Sequence, residues 1–286
     1  MKIKQFIILW IFWAQIFSLY QAVAQTTNDC QIYANKQFKD GNYSAAILEF
    51  QRYLFFSNQP SDAAIYIQLG DCYHKTQQYT KATRYYEFAC LLSNNDSIKY
   101  EAIFKKTVSY LVSGNFRFAQ IEMLQLADTI PLDLQQKKQF YLGIVYFGLN
   151  DFEQSRLCFI HSLDTTCTQQ IQAIKEIFSH RRNFYRPNPN LAMGMSIILP
   201  GSGQIYAGDL KNGLNSLALT GGLLALGLNV AQRYSYFDAL MAVFPWFSRY
   251  YQGGYKHAKQ IAIHKRAERR NKTYKSVLQI IDNKTP

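Results

Sequence analysis

Small residues recur along the first half of the chain at nearly constant intervals: Ala46, Ala82, Ala119 and Ser155, at steps of 36, 37 and 36 residues. Each sits inside the same pattern of aromatic and apolar positions. The segment Tyr66 to Ala89 shows it most clearly: Tyr66, Leu69, Gly70 and Tyr73, then Tyr79, Ala82, Tyr86 and Ala89. A spacing of three and four residues puts each group on one face of a helix. The polar Gln77-Gln78 between the groups turns the chain, so the two faces meet. Equivalent turns are Asp40-Gly41-Asn42, Ser113-Gly114-Asn115 and Leu149-Asn150-Asp151. A fixed period of this length predicts stacked helix pairs rather than one globular core, and therefore an all-α fold.

The pattern changes after residue 166. Ile171, Ile174, Ile177 and Phe178 recur at helical spacing and predict a helix able to cap the array. Pro187 and Pro189, within a basic and aromatic run from Arg181 to Asn190, predict a boundary. Leu191 to Leu199 is apolar but short. Leu214 to Ala231 has 18 residues without a charge, enough for a transmembrane helix. Its Ala218 and Gly222 form a small-x-x-x-small pair that permits close helix contact. A third apolar stretch, Tyr236 to Tyr251, contains Asp238, Pro245 and Arg249. At the other end of the chain, Lys2 and Lys4 precede an apolar Phe6 to Leu19 and an Ala22-Val23-Ala24 cleavage pattern. That order predicts a secretory signal peptide over 1–24, with an uncleaved anchor as the alternative. Either places the repeats outside the cytoplasm. Cys30 has no small-residue lipobox before it, so lipid anchoring there is not expected.

Charge sharpens this division. The chain carries +12 overall, but residues 25–178 have 14 basic and 15 acidic side chains whereas residues 179–286 have 15 and 4. The basic excess lies beside the apolar segments, which suits a membrane edge and speaks against a nucleic-acid partner. Residues 256–275 alone hold 8 basic residues and 1 acidic residue. The positive-inside rule asks for that tail in the cytoplasm, so with exported repeats an odd number of crossings is expected, from three segments. The tail reads either as a binder of anionic lipid or as a solvated helix that fixes topology.

The recurring pattern resembles the tetratricopeptide repeat. The fourth unit carries it through Leu142, Gly143, Tyr146, Phe152, Ser155, Phe159 and Leu163, and the first through Ala34, Gly41, Tyr43, Ala46, Phe50 and Leu54. The third keeps Tyr110, Gly114, Phe116 and Ala119, with Thr107 and Met123 at the two departures. The resemblance covers residues 28–166 and implies a solenoid whose inner, concave face comes from the first helix of each pair. Carried onto this sequence, that face is polar at Gln31, Asn35, Lys39, Asp71, His74 and Lys75. It is apolar at Phe104, Val108, Leu111, Phe140, Ile144 and Phe147, which are the candidate partner-binding residues. The alternative is that the following helix covers them. Downstream, Pro200, Gly201, Gly203, Gln204, Tyr206 and Gly208 spell P-G-x-G-Q-x-Y-x-G, followed by Gly213. This is similar to the signature of small bacterial membrane domains of the TM2-like and DUF5683 type. The implied organisation is a signal peptide (1–24), four repeats (25–168), a capping helix and linker (169–187), a membrane helical module with a glycine-rich hairpin (188–255) and a basic tail (256–286).

The chemistry-bearing residues do not point to catalysis. The glycine run lacks the Lys-Ser/Thr of a phosphate loop and the third glycine of a dinucleotide fingerprint. His74, His161, His180, His257 and His264 form no metal-ligand spacing, and neither G-x-S-x-G nor H-E-x-x-H occurs. The odd count of five cysteines forbids complete internal pairing, with Cys158 and Cys167 the nearest to a pair. Asp238 and Arg249, if at membrane depth, are candidates for function, although both sit near the segment ends where water reaches them. The expectation is a non-enzymatic scaffold with no cofactor. It is anchored in the bacterial cell envelope, in the inner membrane, and binds a protein or peptide partner and membrane lipid. A membrane-embedded factor in transport, insertion or envelope assembly is the alternative.

Overall fold

Each predicted turn in the repeat region is closed in the same way. In the computed structural model, which describes residues 27–57, 62–127, 129–180 and 182–282, Asn42 N–H donates to Gln37 O and Gly41 N–H to Phe38 O. The same pair of bonds recurs at Gln78 to Tyr73 and Gln77 to His74, at Asn115 to Tyr110 and Gly114 to Leu111, and at Asp151 to Tyr146 and Asn150 to Phe147. The inner residue of each turn has positive φ: Gly41 (78°), Gln77 (60°), Gly114 (76°) and Asn150 (65°). These are Schellman closures, in which a left-handed residue ends one helix and frees the chain to start the next. They repeat at the same intervals as the small residues, so backbone geometry and side-chain pattern report one period. The signal peptide expected over 1–24 lies outside the described residues.

The helices so delimited are α1 (Thr27–Lys39), α2 (Tyr43–Phe56), α3 (Ala63–Lys75), α4 (Tyr79–Leu92), α5 (Asp96–Val112), α6 (Phe116–Gln125) and α7 (Leu132–Gly148). They form the first of two units, which meet in sequence between Asp151 and Phe152. Successive helices pack on each other, and α3 also touches α5. Ala46, Ala82 and Ala119 are fully buried. A Cβ at Gly70 would stand 2.5 Å from the Tyr86 ring, so the missing side chain is what lets α3 and α4 close on a buried aromatic. In the third pair the corresponding positions hold Thr107 and Met123, both fully buried. A larger residue on one helix is matched by an unbranched, adaptable one on the other.

The second unit contains α8 (Phe152–His161), α9 (Thr168–Ser179), α10 (Arg182–Tyr185), α11 (Pro189–Ile198), α12 (Ser202–Tyr206), α13 (Leu210–Arg233), α14 (Tyr236–Ala242) and α15 (Phe244–Asp282). By its contacts the chain divides at 151/152, inside the fourth expected repeat, and position 255/256 lies inside α15, a single helix of 39 residues. The basic segment is therefore a structural element of this unit. Its Ala258, Ile261, Ala262 and Val277 are buried, and it packs on α9, α10, α11 and α12. The expected cap helix, α9, turns Ile174 and Phe178 into the same core, with Phe178 5.5 Å from Phe184 and 6.5 Å from Phe159 between ring centroids. The Arg270 guanidinium lies 5.2 Å from the Phe152 ring centre and donates to Phe184 O at 2.8 Å. All 15 helices and no strand are found among the described residues, so the protein is all-α.

Candidate functional site

The first helices of successive pairs meet through paired side chains. Asp71 on α3 accepts from Lys105 on α5 at 2.5 Å and from the Tyr86 hydroxyl at 2.7 Å, and Lys105 also pairs with Glu101 at 3.1 Å. Burial alone would lower the Lys105 pKa, but hydrogen bonds and charge from Asp71 and Glu101 outweigh it and raise it. Next along, His74 Nδ1 lies 2.8 Å from Ser109 Oγ, whose hydroxyl donates to Lys105 O. The lone pairs of that hydroxyl are left for His74 Nδ1–H. Burial, the largest influence, lowers the His74 pKa. Behind this face Lys106 bridges Glu87 and Glu122. Burial first, then the neighbouring Asp71 charge, pushes the Cys72 thiol up to about 12, so it remains protonated near neutral pH.

The six apolar candidates all fall on α5 and α7, but they are not equivalent. Phe104 is buried, 5.6 Å from the Tyr141 ring centre and with Lys137 Nζ 4.5 Å over its face. Val108, Leu111, Phe140, Ile144 and Phe147 are half-buried. Phe104 thus cements α5 to α7, and the remaining five offer the accessible surface. At the polar end Lys39 and Lys75 are exposed, while Gln31, Asn35, Asp71 and His74 are half-buried. The positions carried over from the repeat resemblance did not separate covered from open residues, because a rotation of about one residue, ~100°, divides them on a helix.

The glycine-rich motif in the second unit is a joint between four helices. Pro200 stops α11 by forcing Leu199 into extended backbone (φ −130°, ψ 108°). Gly201 has φ +91°, and a Cβ there would stand 2.1 Å from Gly213 O on α13. A Cβ at Gly203 would stand 1.8 Å from Ala192 O on α11. Gln204, buried, accepts from Ser196 Oγ at 2.8 Å and donates to Gly254 O on α15 at 2.9 Å. Ser196 Oγ in turn accepts from Gly203 N–H at 3.0 Å. The Tyr206 hydroxyl accepts from Asn188 N–H at 3.1 Å, while its ring packs with Ala192, Ala207, Ile261 and Ala262. Gly208 (φ +89°) closes α12 with a fifth Schellman turn, Asp209 N–H to Gln204 O. Asp209 then caps α13, its pKa lowered chiefly by hydrogen bonds from Asn212.

Beyond this joint the surface is apolar. Leu210–Arg233 is long and apolar enough to cross a membrane, and very little of it is buried within the fold. Leu214, Leu224 and Leu228 are exposed, as are Tyr236, Phe237, Met241, Phe244 and Trp246 on the following helices. Of the three apolar segments expected to cross, α11 has 10 residues and α14 has 7, each too short alone. A shallow cleft of about 260 Å³ between α13 and the α14–α15 limb is lined by leucines with Gly227, Tyr236, Val243 and Phe247. Ala218 is exposed and nothing among the described residues lies within 4 Å of a Cβ at Gly222, so that pair faces away from the other described helices of this unit. Asp238 and Arg249 are both exposed, on different helices.

All five cysteines are free, including Cys158 and Cys167. Among the described residues no three His, Cys, Asp or Glu side chains gather as a metal-holding group. No family model, curated protein or solved structure matches the chain.

Proposed function

We propose that the protein is a membrane-anchored scaffold of the bacterial envelope that holds a protein or peptide partner outside the cytoplasm, on a face made by the first helices of tetratricopeptide-like pairs. The observation that carries the reading is the coexistence of two surfaces of different character. One is a polar-to-apolar face built on α3, α5 and α7, with Val108, Leu111, Ile144 and Phe147 partly open. The other is an apolar projection around α13 whose exposure would be costly in water, at ~25 cal/mol per Å² of apolar area, and is relieved in lipid. The glycine motif supports the same division: every one of its contacts holds helices together, which suits a mount for the projection. The inner membrane is the expected site, with the partner-binding unit on its outer side.

The test uses the detergent-solubilised full-length chain as bait against solubilised envelope proteins. Phe104 is unsuitable for substitution because it is buried between α5 and α7. Leu111→Gln with Ile144→Gln alters the open part of the face instead. If thermal unfolding is unchanged and a partner held by the native chain is lost, the face is the binding surface. Retention of the same partner by this variant overturns it.

A further inference from the structure

Given the reading of α13 as membrane-embedded, we propose that α13 and the α14–α15 limb cross the bilayer together as a hairpin, so that the basic C-terminal helix lies on the same side as residues 152–209. The contacts fix the path of the chain. At the start of α13, Gly201 and Ile205 lie against Gly213, and a Cβ at Gly254 would stand 2.8 Å from Ser216 Oγ. Farther along α13, a Cβ at Gly227 would stand 3.6 Å from the Val243 side chain. As numbering rises on α13 from 216 to 227, its neighbours fall from 254 to 243, so the limbs are antiparallel. The return limb is nearly continuous: Val243 N–H donates to Ala239 O and Phe247 N–H to Val243 O, with Pro245 supplying the one interruption.

The dimensions match a bilayer. From Gly213 to Arg233 the outward limb spans ~30 Å at 1.5 Å per residue, and from Tyr236 to Gly254 the return limb spans ~27 Å. The tip, Arg233-Tyr234-Ser235-Tyr236, is exposed, with charge, hydroxyl and two tyrosines suited to the far headgroup region. At the other end, Tyr251 donates to Ile197 O at 2.7 Å, tying the return limb to α11. The helix then continues into the folded part of the unit, where Ala262 joins Ala192, Ala207 and Tyr206, and Arg270 reaches Phe152 and Phe184. No crossing can be inserted between residue 254 and these contacts.

The basic run is then not a cytoplasmic marker. With an exported first unit it stands outside, against the positive-inside expectation. Only its first turn can sense headgroup charge: Lys256 and Lys259 emerge within ~8 Å of Gly254 along the axis, about one Debye length, whereas Lys272 lies ~27 Å along it.

The full chain, with Cys30, Cys72 and Cys158 replaced by Ala and Cys90 and Cys167 by Ser, is reconstituted in phosphatidylethanolamine–phosphatidylglycerol vesicles. Two cysteines at a time are then introduced at exposed positions. Sealed vesicles are treated with an impermeant maleimide and labels per molecule are counted by mass. The hairpin predicts two or none for Gln172→Cys with Gln279→Cys, and one for Gln172→Cys with Ser235→Cys, whatever the insertion orientation. One label per molecule in the first pair, or two or none in the second, overturns it while leaving membrane insertion intact. Failure of the protein to float with the vesicles after alkaline washing instead removes the membrane reading. Lys175→Cys with Lys272→Cys repeats the first count on other surface positions should the first pair disturb folding.

Discussion

At Gly203 a single missing methyl decides whether α11 and α12 can touch. A Cβ there would overlap the Ala192 carbonyl oxygen, which belongs to a helix backbone and cannot swing aside. Gly203→Ala is expected to cost about 3 kcal/mol or more, by forcing the joint open and unseating Gln204. Gly253→Ala, at a helical position with nothing within 4 Å, should be neutral or stabilising by ~0.5–1 kcal/mol. Thermal unfolding in detergent compares the two; equal effects would show that the close approach is not real. His74 gives a residue-scale pH dependence. Its folded pKa is lowered, chiefly by burial, so the unfolded chain takes up the proton first as pH falls. The contribution of the neutral ring to stability is present above the ordinary value of ~6.5 and is lost as pH drops through it. The urea midpoint of the native chain should therefore fall further between pH 7.5 and 5.5 than that of His74→Gln.

The turns show at the scale of elements what physical chemistry makes visible in sequence. Gly41 and Gly114 announced left-handed turns, because glycine adopts positive φ without cost. Gln77 and Asn150 occupy the same conformation without a glycine: Asn150 carries the weaker signal of an asparagine, which tolerates positive φ, and Gln77 is marked by its polar surroundings and the interval shared with the other turns. Gln77→Gly and Asn150→Gly are each expected to stabilise the chain by ~0.5–1 kcal/mol, read as a shift in urea midpoint at unchanged slope. The helix pairs were legible because aromatic and small residues must alternate at helical spacing to let helices close. The extent of α15 was not. Gly253-Gly254 and a sudden rise in charge resemble a border, although nothing crowds Gly253, and Gly254 is needed beside Ser216. The buried stripe Ala258, Ile261, Ala262 was present in the sequence but masked by the lysines and arginines around it. The candidate face was legible as a set of positions, whereas the burial of Phe104 depended on Tyr141 and Lys137, contacts between helices that periodicity does not encode.

For the whole molecule, the decisive fact is that the C-terminal helix serves both the apolar projection and the second unit's core. Truncation after Tyr255 should therefore not yield an anchored protein merely lacking a basic tail. It removes the Arg270 contacts of Phe152 and Phe184 and the Ile261 and Ala262 contacts of Ala192, and the second unit is expected to lose its protease resistance while the first retains it. Limited proteolysis followed by mass mapping checks this: persistence of a resistant fragment beginning near residue 152 in the truncated chain would contradict it.

The unbroken course of α15 has an angular consequence. A helix turns ~100° per residue, so the direction in which Gly254 meets Gln204 fixes the direction in which Arg270 points 16 positions later. One residue added between them would swing every distal side chain by more than a quarter turn. Seven would restore the heading to within ~20° but push Arg270 ~10 Å past its seat. The helix behaves as a keyed shaft: no added length satisfies heading and reach together, so its span between joint and core is set to the residue.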